Sequence, residues 1–101
     1  MNKYTNEKFF YFDKIKWRIT WYSEYWPKNV VILSKINWIK INEIWSIAFK
    51  EKWLKFINIP NSVSKILEQA FAKNKLTKIN IPNSVEKIYW QAFTNNNNTK
   101  Y

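Results

Sequence analysis

The segment INIPNSV occurs twice in this chain, at residues 57–63 and again at residues 79–85, an offset of 22 residues from Ile57 to Ile79. Apolar residues on both sides keep the same offset, in the pairs Leu54/Leu76, Ile59/Ile81, Val63/Val85, Ile66/Ile88, Ala70/Ala92 and Phe71/Phe93. A period in the twenties with apolar residues in register is typical of a solenoid, in which each repeat packs against its neighbours. The repeat therefore predicts the architecture of the chain.

Each repeat contains a strand and a returning segment. The Leu-x-x-Ile-x-Ile stretch predicts a short strand with one buried face. Pro60 and Pro82 end this strand because proline has no N–H for a further ladder bond, and the Asn-Ser pairs that follow favour a turn. The segment from Val63 to Phe71 fits either a short extended piece followed by a helical turn or a single irregular helix. Spacing alone leaves both open.

A longer repeat precedes these two once an insertion is allowed. Residues 30–32 match residues 57–59, and residues 41–49 match residues 63–71, with five extra residues in the turn between (from 32 to 41 is 9 positions, against 4 from 59 to 63). Before this repeat, the apolar runs FFYF and WRITWY flank residues 13–16 and predict a β-hairpin. Such a hairpin would cover the open end of the first repeat, as solenoid ends require.

The predicted domains are an N-terminal hairpin cap over residues 1–29, a solenoid over residues 30–96 and a tail or truncated next repeat over residues 97–101. The repeats within the solenoid run about 30–52, 53–74 and 75–96. Thr99-Lys100-Tyr101 falls in register with Thr77-Lys78-Ile79, which suggests an array interrupted in its next strand. An uncovered end exposes backbone and apolar surface, so self-association through the C-terminal repeat is expected.

The composition excludes several classes of site. The chain has 101 residues, enough for one small domain, and it contains no Cys and no His. Disulfides and thiolate metal sites are therefore excluded, and the usual general base is missing. The first residues lack the apolar core of a secretory signal, and the longest apolar runs are too short to span a bilayer. The compartment of the protein stays open.

The charge of the chain has two interpretations. The formal net charge is +10 and the sequence pI is about 9.8, which favours an acidic partner. However, Arg18 is the only arginine, and an excess of Lys, Asn and Ile is typical of AT-rich coding sequence. Nucleic-acid readers usually need arginine for bidentate contacts. The alternative is that the charge reflects composition and solubility.

The units LKFINIPNSVSKILEQAF at residues 54–71 and LTKINIPNSVEKIYWQAF at residues 76–93 resemble the BspA-like leucine-rich repeats, whose unit reads roughly L-x-x-I-x-I-P-x-S-V-x-x-I-G-x-x-A-F. The stretch VVILSKINWIKINEIWSIAF at residues 30–49 is similar to an entry turn of that family. The resemblance implies an α/β, right-handed leucine-rich-repeat solenoid with a short parallel β-sheet on the concave face. It also implies a stacked phenylalanine spine of Phe49, Phe71 and Phe93.

Two departures from the family pattern stand out. The family's glycine after the last Ile of the unit is Trp45, Leu67 and Tyr89 here, and its occasional cysteine near the repeat end is Asn74 in the second unit. Moreover, the chain has no Gly and 7 Trp, although Gly normally makes up about 7% of residues. Trp38 and Trp45 stand where the family places glycine, and Trp17 and Trp21 fall in the predicted hairpin. We hypothesise that some of these tryptophans are glycines, from a source in which UGA encodes glycine but was translated as tryptophan.

The residues between the buried strand positions face the concave surface in a solenoid of this kind. The predicted ligand-binding residues are Val31 from the first strand, Phe56 and Asn58 from the second, and Lys78 and Asn80 from the third. An exposed aromatic beside amides and a lysine favours a contact patch. The alternative is that the two asparagines only form a hydrogen-bonded ladder. Three strands also make a small surface compared with the ~800 Å² per partner of a standard interface.

A basic stripe is the second candidate site. Lys65 and Lys87 stack one repeat apart, with Lys40 near the equivalent place. Such a stripe could follow a phosphate backbone or an acidic polysaccharide. Glu68 and Glu86 lie on the same faces, however, and most charge at such positions is a solvated surface.

Catalysis has little support in the sequence. The seven acidic residues are scattered without a motif, the repeat serines have no histidine partner, and no glycine-rich phosphate loop exists. No cofactor or metal is expected. The prediction is a non-catalytic leucine-rich-repeat module that binds protein or cell-surface ligands, of an adhesion or interaction type. The alternatives are a polyanion-binding domain for nucleic acid or acidic polysaccharide, and a truncated repeat fragment without independent function.

Overall fold

A computed structural model of the chain describes residues 4–13, 15–23, 27–36, 38–77 and 79–96. A 3-10 helix at Glu7–Phe9 is followed by ten short strands. In chain order, the strands are β1 (Phe10–Asp13), β2 (Arg18–Tyr22), β3 (Asn29–Val31), β4 (Lys35–Ile36), β5 (Ile39–Lys40), β6 (Glu43–Ile44), β7 (Phe56–Asn58), β8 (Lys65–Ile66), β9 (Ile79–Asn80) and β10 (Lys87–Ile88). They form three sheets, with strand orders β1-β2-β6-β8-β10, β3-β7-β9 and β4-β5.

The repeat offset reappears in the strand pairing. In the three-stranded sheet, β3, β7 and β9 are parallel, and Val30 pairs with Ile57, which pairs with Ile79. In the five-stranded sheet, Ile44, Ile66 and Ile88 pair in the same way across β6, β8 and β10. The predicted matches of residues 30–32 with 57–59 and of residues 41–49 with 63–71 are thereby confirmed. The two sheets enclose one continuous core of buried Ile, Leu, Val, Ala and Phe side chains.

The predicted phenylalanine spine is present and is longer than expected. The ring centres of Phe49 and Phe71 are 5.0 Å apart, and those of Phe71 and Phe93 are 5.2 Å apart, with nearly parallel planes. Tyr22 continues the row, because its ring lies 5.1 Å from that of Phe49. Phe10 then packs 5.3 Å from Tyr22. Stacked and tilted aromatic pairs at these separations add stabilisation beyond the burial of their area.

The N-terminal hairpin is hydrogen-bonded into the same stack as the repeats. Strands β1 and β2 pair antiparallel, as predicted, and Ile19 of β2 pairs in parallel with Ile44 of β6. The N–H of Trp45 donates to the carbonyl of Ile19 (2.9 Å), just as the N–H of Leu67 donates to that of Ile44 (3.0 Å). The second hairpin strand therefore takes the place of a repeat strand. Its role as a cap and the handedness of the stack remain predictions.

The α part of the predicted α/β class is wrong for the residues that the structure describes. Among these residues the structure contains strands, turns and one 3-10 helix, and no α-helix. The returning segment follows the first of its two open alternatives, with the extended pair Lys65–Ile66 and then turns. A 22-residue period that contains two strands leaves too little chain for a stable helix. The positive φ of Gln69 and Gln91 also interrupts right-handed helical geometry.

The insertion in the first repeat forms a small hairpin of its own. Strands β4 and β5 pair antiparallel, with Ile36 opposite Ile39 and Lys35 opposite Lys40. Ile36 is buried in the core, whereas both lysines are exposed. The extra residues therefore leave the stack and return to it without shifting the register of β3 or β6.

Asparagine side chains bond neighbouring turns together at the ends of two repeats, and of the two, Asn74 is buried and Asn96 is partly exposed. Asn74, where the family has an occasional cysteine, accepts bonds through Oδ1 from the N–H groups of Lys52 and Leu54, each at 3.0 Å. Its Nδ2 donates to the carbonyls of Phe49 (2.8 Å) and Phe71 (2.9 Å). Asn96 repeats this arrangement one period later, with Leu76 N–H as the donor at 3.1 Å. A side-chain amide can satisfy donors and acceptors of two neighbouring turns at once.

Three predictions lie partly or wholly outside the described residues. They are the tail at residues 97–101, the register of Thr99-Lys100-Tyr101 and the position of Lys78. The division into repeats at 30–52, 53–74 and 75–96 stays a prediction as well. Across the ranges that the structure does describe, no helix is long and apolar enough to cross a membrane.

Candidate functional site

The outer face of the three-stranded sheet is formed by side chains that alternate with the buried ones. Val30, Ile57 and Ile79 point into the core, so their neighbours on the same strands point outward. The outward residues with described side chains are Asn29 and Val31 on β3, Phe56 and Asn58 on β7, and Asn80 on β9. We refer to these five residues as the outer face.

Strand register orders the outer face into two rows. Val31, Asn58 and Asn80 are partners across β3, β7 and β9, and Asn29 is the partner of Phe56. Neighbouring strands lie about 4.8 Å apart, so consecutive members of a row are within side-chain reach. Four of the five predicted ligand-binding residues are thereby brought to one face. Lys78 is the fifth and lies outside the described residues.

The sequence interpretation missed Asn29. It began the first strand at Val30, whereas β3 begins one residue earlier and places Asn29 opposite Phe56. The signal was available, because Asn29 and Val31 are two positions apart and strand side chains alternate with a period of two. Thr5 was also missed. Its N–H donates to the carbonyl of Val31 and its Oγ1 accepts from the N–H of Val31, both at 2.9 Å, so it covers the open edge of β3.

Two open clefts meet at Asn58. One, of about 370 Å³, lies between the ends of β7 and β9 and includes Asn80 and Pro82 in its wall. The other, of about 320 Å³, lies towards β3 and is lined by Tyr4 and Ser34. Both also include Asn61. Amides, a hydroxyl and an aromatic ring around shallow clefts can bind polar ligands by hydrogen bonds and by stacking.

The predicted basic stripe is only partly assembled. Lys65 and Lys87 are register partners on β8 and β10. The neighbour of Lys65 on the other side is Glu43, not Lys40, and the neighbour of Glu43 is Arg18. Lys40 lies in the separate β4–β5 hairpin because the insertion displaces it from the repeat register. The row across this sheet therefore alternates in sign before it ends in two lysines.

The Arg18 end of that row is neutralised locally. The guanidinium lies 3.6 Å from the carboxylate of Glu43 and 4.0 Å from that of Asp13, and it stacks 3.5 Å from the ring centre of Trp45. Backbone N–H groups of Lys16 and Ile15 donate to Asp13 and, with help from Arg18, lower the pKa of its carboxyl. These contacts hold the hairpin turn, and they leave Arg18 poorly placed to bind an external anion.

A third cleft, of about 500 Å³, was not predicted. It lies along the repeat ends and is lined by Glu51, Lys73, Lys75, Trp53, Asn74 and Asn95. Lys73 and Glu51 form an exposed ion pair at 3.5 Å across it. Asn74 is already bonded on both sides of its amide, so the polar wall of this cleft stabilises the repeat stack. Within the described ranges, no three His, Cys, Asp or Glu side chains cluster so as to hold a metal ion.

Comparison with known families confirms the class of protein. A sequence profile described as BspA type leucine-rich repeat region (6 copies) matches residues 41–101, more than half of the chain. The chain belongs to this family. Comparison with curated proteins and with solved structures gives no match. Membership suggests a protein-interaction module, because stacked repeats present an extended surface instead of a closed catalytic pocket.

Proposed function

We propose that the chain is a non-catalytic binding module whose outer face contacts an extended segment of a protein or cell-surface ligand. The observation that carries this proposal is the in-register row Val31–Asn58–Asn80 beside the pair Asn29–Phe56 on a solvent-facing sheet. An asparagine amide both donates and accepts, as a peptide group does. Amides spaced by one strand can therefore bond to the backbone of a polypeptide that crosses the sheet.

Phe56 supplies the apolar part of this face. Its ring is half-buried, so it is held by the sheet and still reaches the surface. Aromatic residues in such positions are frequent energetic centres of interfaces, surrounded by polar contacts of smaller effect. Asn58, which borders both clefts beside the sheet, is the polar counterpart. The small area of three strands favours recognition of a short segment over a large folded surface.

A phage-displayed library of random peptides selected on the immobilised chain tests this proposal. Enriched peptides should bind the wild-type chain, and Phe56→Ala and Asn80→Ala should each raise Kd roughly fivefold to tenfold, as expected for loss of about 1 kcal/mol. Lys87→Ala, exposed on the other sheet, is the matched control and should bind as the wild type does. Selected peptides that bind both outer-face variants with unchanged Kd would show that recognition lies elsewhere.

A polyanion ligand is a second candidate, favoured by the register pairing of Lys65 with Lys87 and the net charge of +10. Binding to heparin and to duplex DNA across a salt series tests it. If this pair forms the site, Lys65→Gln or Lys87→Gln should reduce the salt slope by about one each, because each lysine displaces about one counterion. Lys40→Gln is the control. An equal loss in Lys40→Gln would assign the binding to diffuse charge and reject the site.

A further inference from the structure

Nine described residues have a positive φ, and none is glycine because the chain has none. Six of them repeat with the period of 22, as the series Ile47, Gln69, Gln91 and Glu51, Lys73, Asn95. The neighbouring repeat holds these positions. The N–H of Gln69 donates to the carbonyl of Trp90 at 3.1 Å, and that of Lys73 to the carbonyl of Thr94 at 2.8 Å. Hydrogen bonds between stacked repeats thus maintain a left-handed backbone at these positions, whether the residue is polar or apolar.

The other three are all tryptophans and lie outside these two series. Trp17, Trp38 and Trp53 have φ values of 57°, 67° and 63°. Their side chains are 53%, 90% and 62% exposed, so burial of the ring does not explain the conformation. A bulky residue with positive φ is a genuine outlier, whereas glycine adopts this conformation without a steric penalty. Tryptophan supplies three of the nine left-handed residues although it supplies 7 of 101 positions.

The hairpin loops independently indicate a preference for glycine at two of these three positions. Strands β4 and β5 pair through Ile36 and Ile39, so two positions of the sequence, Asn-Trp, connect the strands, and Trp38 is the second. Two-residue hairpin loops require positive φ, and Asn-Gly is the strongest sequence preference for them. In the first hairpin, Asp13 pairs with Arg18, and Trp17 ends the loop in a left-handed conformation. That is also a position where hairpin loops favour glycine.

We infer that residues 17, 38 and 53 are glycine positions, and that the protein made in its source organism carries glycine at all three because UGA is read there as glycine. Such reading would account for the absence of glycine and the excess of tryptophan together. A UGG codon still encodes tryptophan under this reading, so the inference does not extend to every tryptophan of the chain.

Backbone conformation separates these three tryptophans from Trp21 and Trp45. Trp21 lies within β2, and Trp45 follows β6 at the family's glycine position, but neither has a positive φ. Lys52 Nζ lies 3.5 Å from the centre of the Trp21 ring and the Arg18 guanidinium 3.5 Å from that of Trp45, whereas Lys75 Nζ lies 5.5 Å from the ring centre of Trp53. Trp53, in contrast, was not predicted from sequence and is added by its backbone conformation.

Peptide sequencing by mass spectrometry of the protein isolated from its source organism decides the inference, together with the codons of the gene. Glycine at residues 17, 38 and 53 with UGA codons is the expected result. Tryptophan in the peptides, or UGG at these codons, would overturn it.

The recombinant chain with tryptophan supplies a second, physical test. Trp38→Gly should raise the midpoint of thermal unfolding by several degrees because it removes the Cβ from a left-handed residue. Trp38→Ala keeps the Cβ and should not show this gain, which separates backbone relief from loss of the ring. Trp90→Gly, exposed but without positive φ, should lower the midpoint. A drop in Trp38→Gly as large as that in Trp90→Gly would contradict the glycine assignment.

Discussion

The N-terminal hairpin and the last repeat occupy the two ends of one stack, and they are built from unrelated sequences. β2 provides Ile19 and Tyr22 where a repeat provides an isoleucine and a phenylalanine. The N–H of Tyr22 donates to the carbonyl of Ala48 (3.0 Å), as the N–H of Phe71 does to that of Ala92 (2.8 Å). A place in the stack is thus defined by a bond pattern and a core volume, which two different sequences can meet.

The two ends differ in how they satisfy polar groups. Tyr22 brings a hydroxyl into the core region, and this hydroxyl donates to the carbonyl of Pro27 at 2.7 Å. The repeats keep their spine apolar and instead bury Asn74, which bonds two turns together. At the hairpin end the polar group of the spine is satisfied by a local hydrogen bond, whereas in the repeats a side-chain amide is shared between neighbouring turns.

Loss of a ring from the middle of the spine should have the largest effect. Phe71 stacks on both neighbours and is fully buried, so Phe71→Ala should lower the free energy of unfolding by about 3–5 kcal/mol. Phe93, stacked on Phe71, is slightly exposed at the end of the row, and Phe93→Ala should cost less. Urea denaturation of both variants measures the difference. Equal losses would mean that position along the spine does not matter.

The asparagine contacts should come next in size. Asn74→Ala leaves the N–H groups of Lys52 and Leu54 and the carbonyl of Phe49 without their side-chain partner, at a cost of about 1–3 kcal/mol. Asn96→Ala should cost less, because Asn96 is partly exposed and water can replace its bonds. The comparison uses thermal and urea unfolding of both variants. A larger loss of stability in Asn96→Ala than in Asn74→Ala would contradict this prediction.

Tyr22 makes the hairpin end sensitive to alkaline pH. Burial raises the pKa of its phenol from 10.0 to about 12. Between about pH 10 and pH 12 the phenol has released its proton in the unfolded chain but retains it in the folded chain. The contribution of this pKa shift to the free energy of unfolding is therefore fully present below about pH 10 and is lost as the pH rises through about 12. The free energy of unfolding should fall more steeply over this range in the wild type than in Tyr22→Phe. Parallel curves would exclude Tyr22 as the source.

The smallest effect concerns the exposed edge of the last repeat. Among the residues that the structure describes, β10 is the last strand in the order of its sheet, and Ile88 on it is exposed. If this edge mediates self-association, sedimentation equilibrium should detect a weak, concentration-dependent dimer, which Ile88→Lys should abolish because edge charges oppose strand pairing. Lys40→Gln, in the β4–β5 hairpin and away from β10, serves as the control. Association that persists unchanged in Ile88→Lys would place the contact elsewhere.

Much of the fold was predictable because the repeat is nearly identical in two units. The offset from Ile57 to Ile79 is the register of β7 with β9, and the resemblance to the BspA-like repeats implied the spine of Phe49, Phe71 and Phe93. The returning segment could not be assigned, because its spacing fits either a short extended piece followed by a helical turn or a single irregular helix. The position of Lys40 was also misjudged, since a five-residue insertion gives no sign of whether it shifts or leaves the register.

The candidate face followed from strand alternation within the predicted solenoid, which placed Phe56, Asn58 and Asn80 outward. The covering of β3 by Thr5 depends on a contact between residues 26 positions apart, that of Thr5 with Val31. Local pattern carries no information about such distant pairs, so only the folded chain could reveal them.

By itself, the sequence determined the period, the buried rows and the spine, because an apolar side chain at the same place in each repeat can be buried only if the repeats stack in register. The tertiary structure decided that Tyr22 extends the spine and that Glu43 interrupts the basic row. It also placed Trp17, Trp38 and Trp53 in the left-handed region of backbone conformation. Backbone conformation and pairing between distant strands depend on the packing of the whole chain, and composition or spacing does not encode them locally.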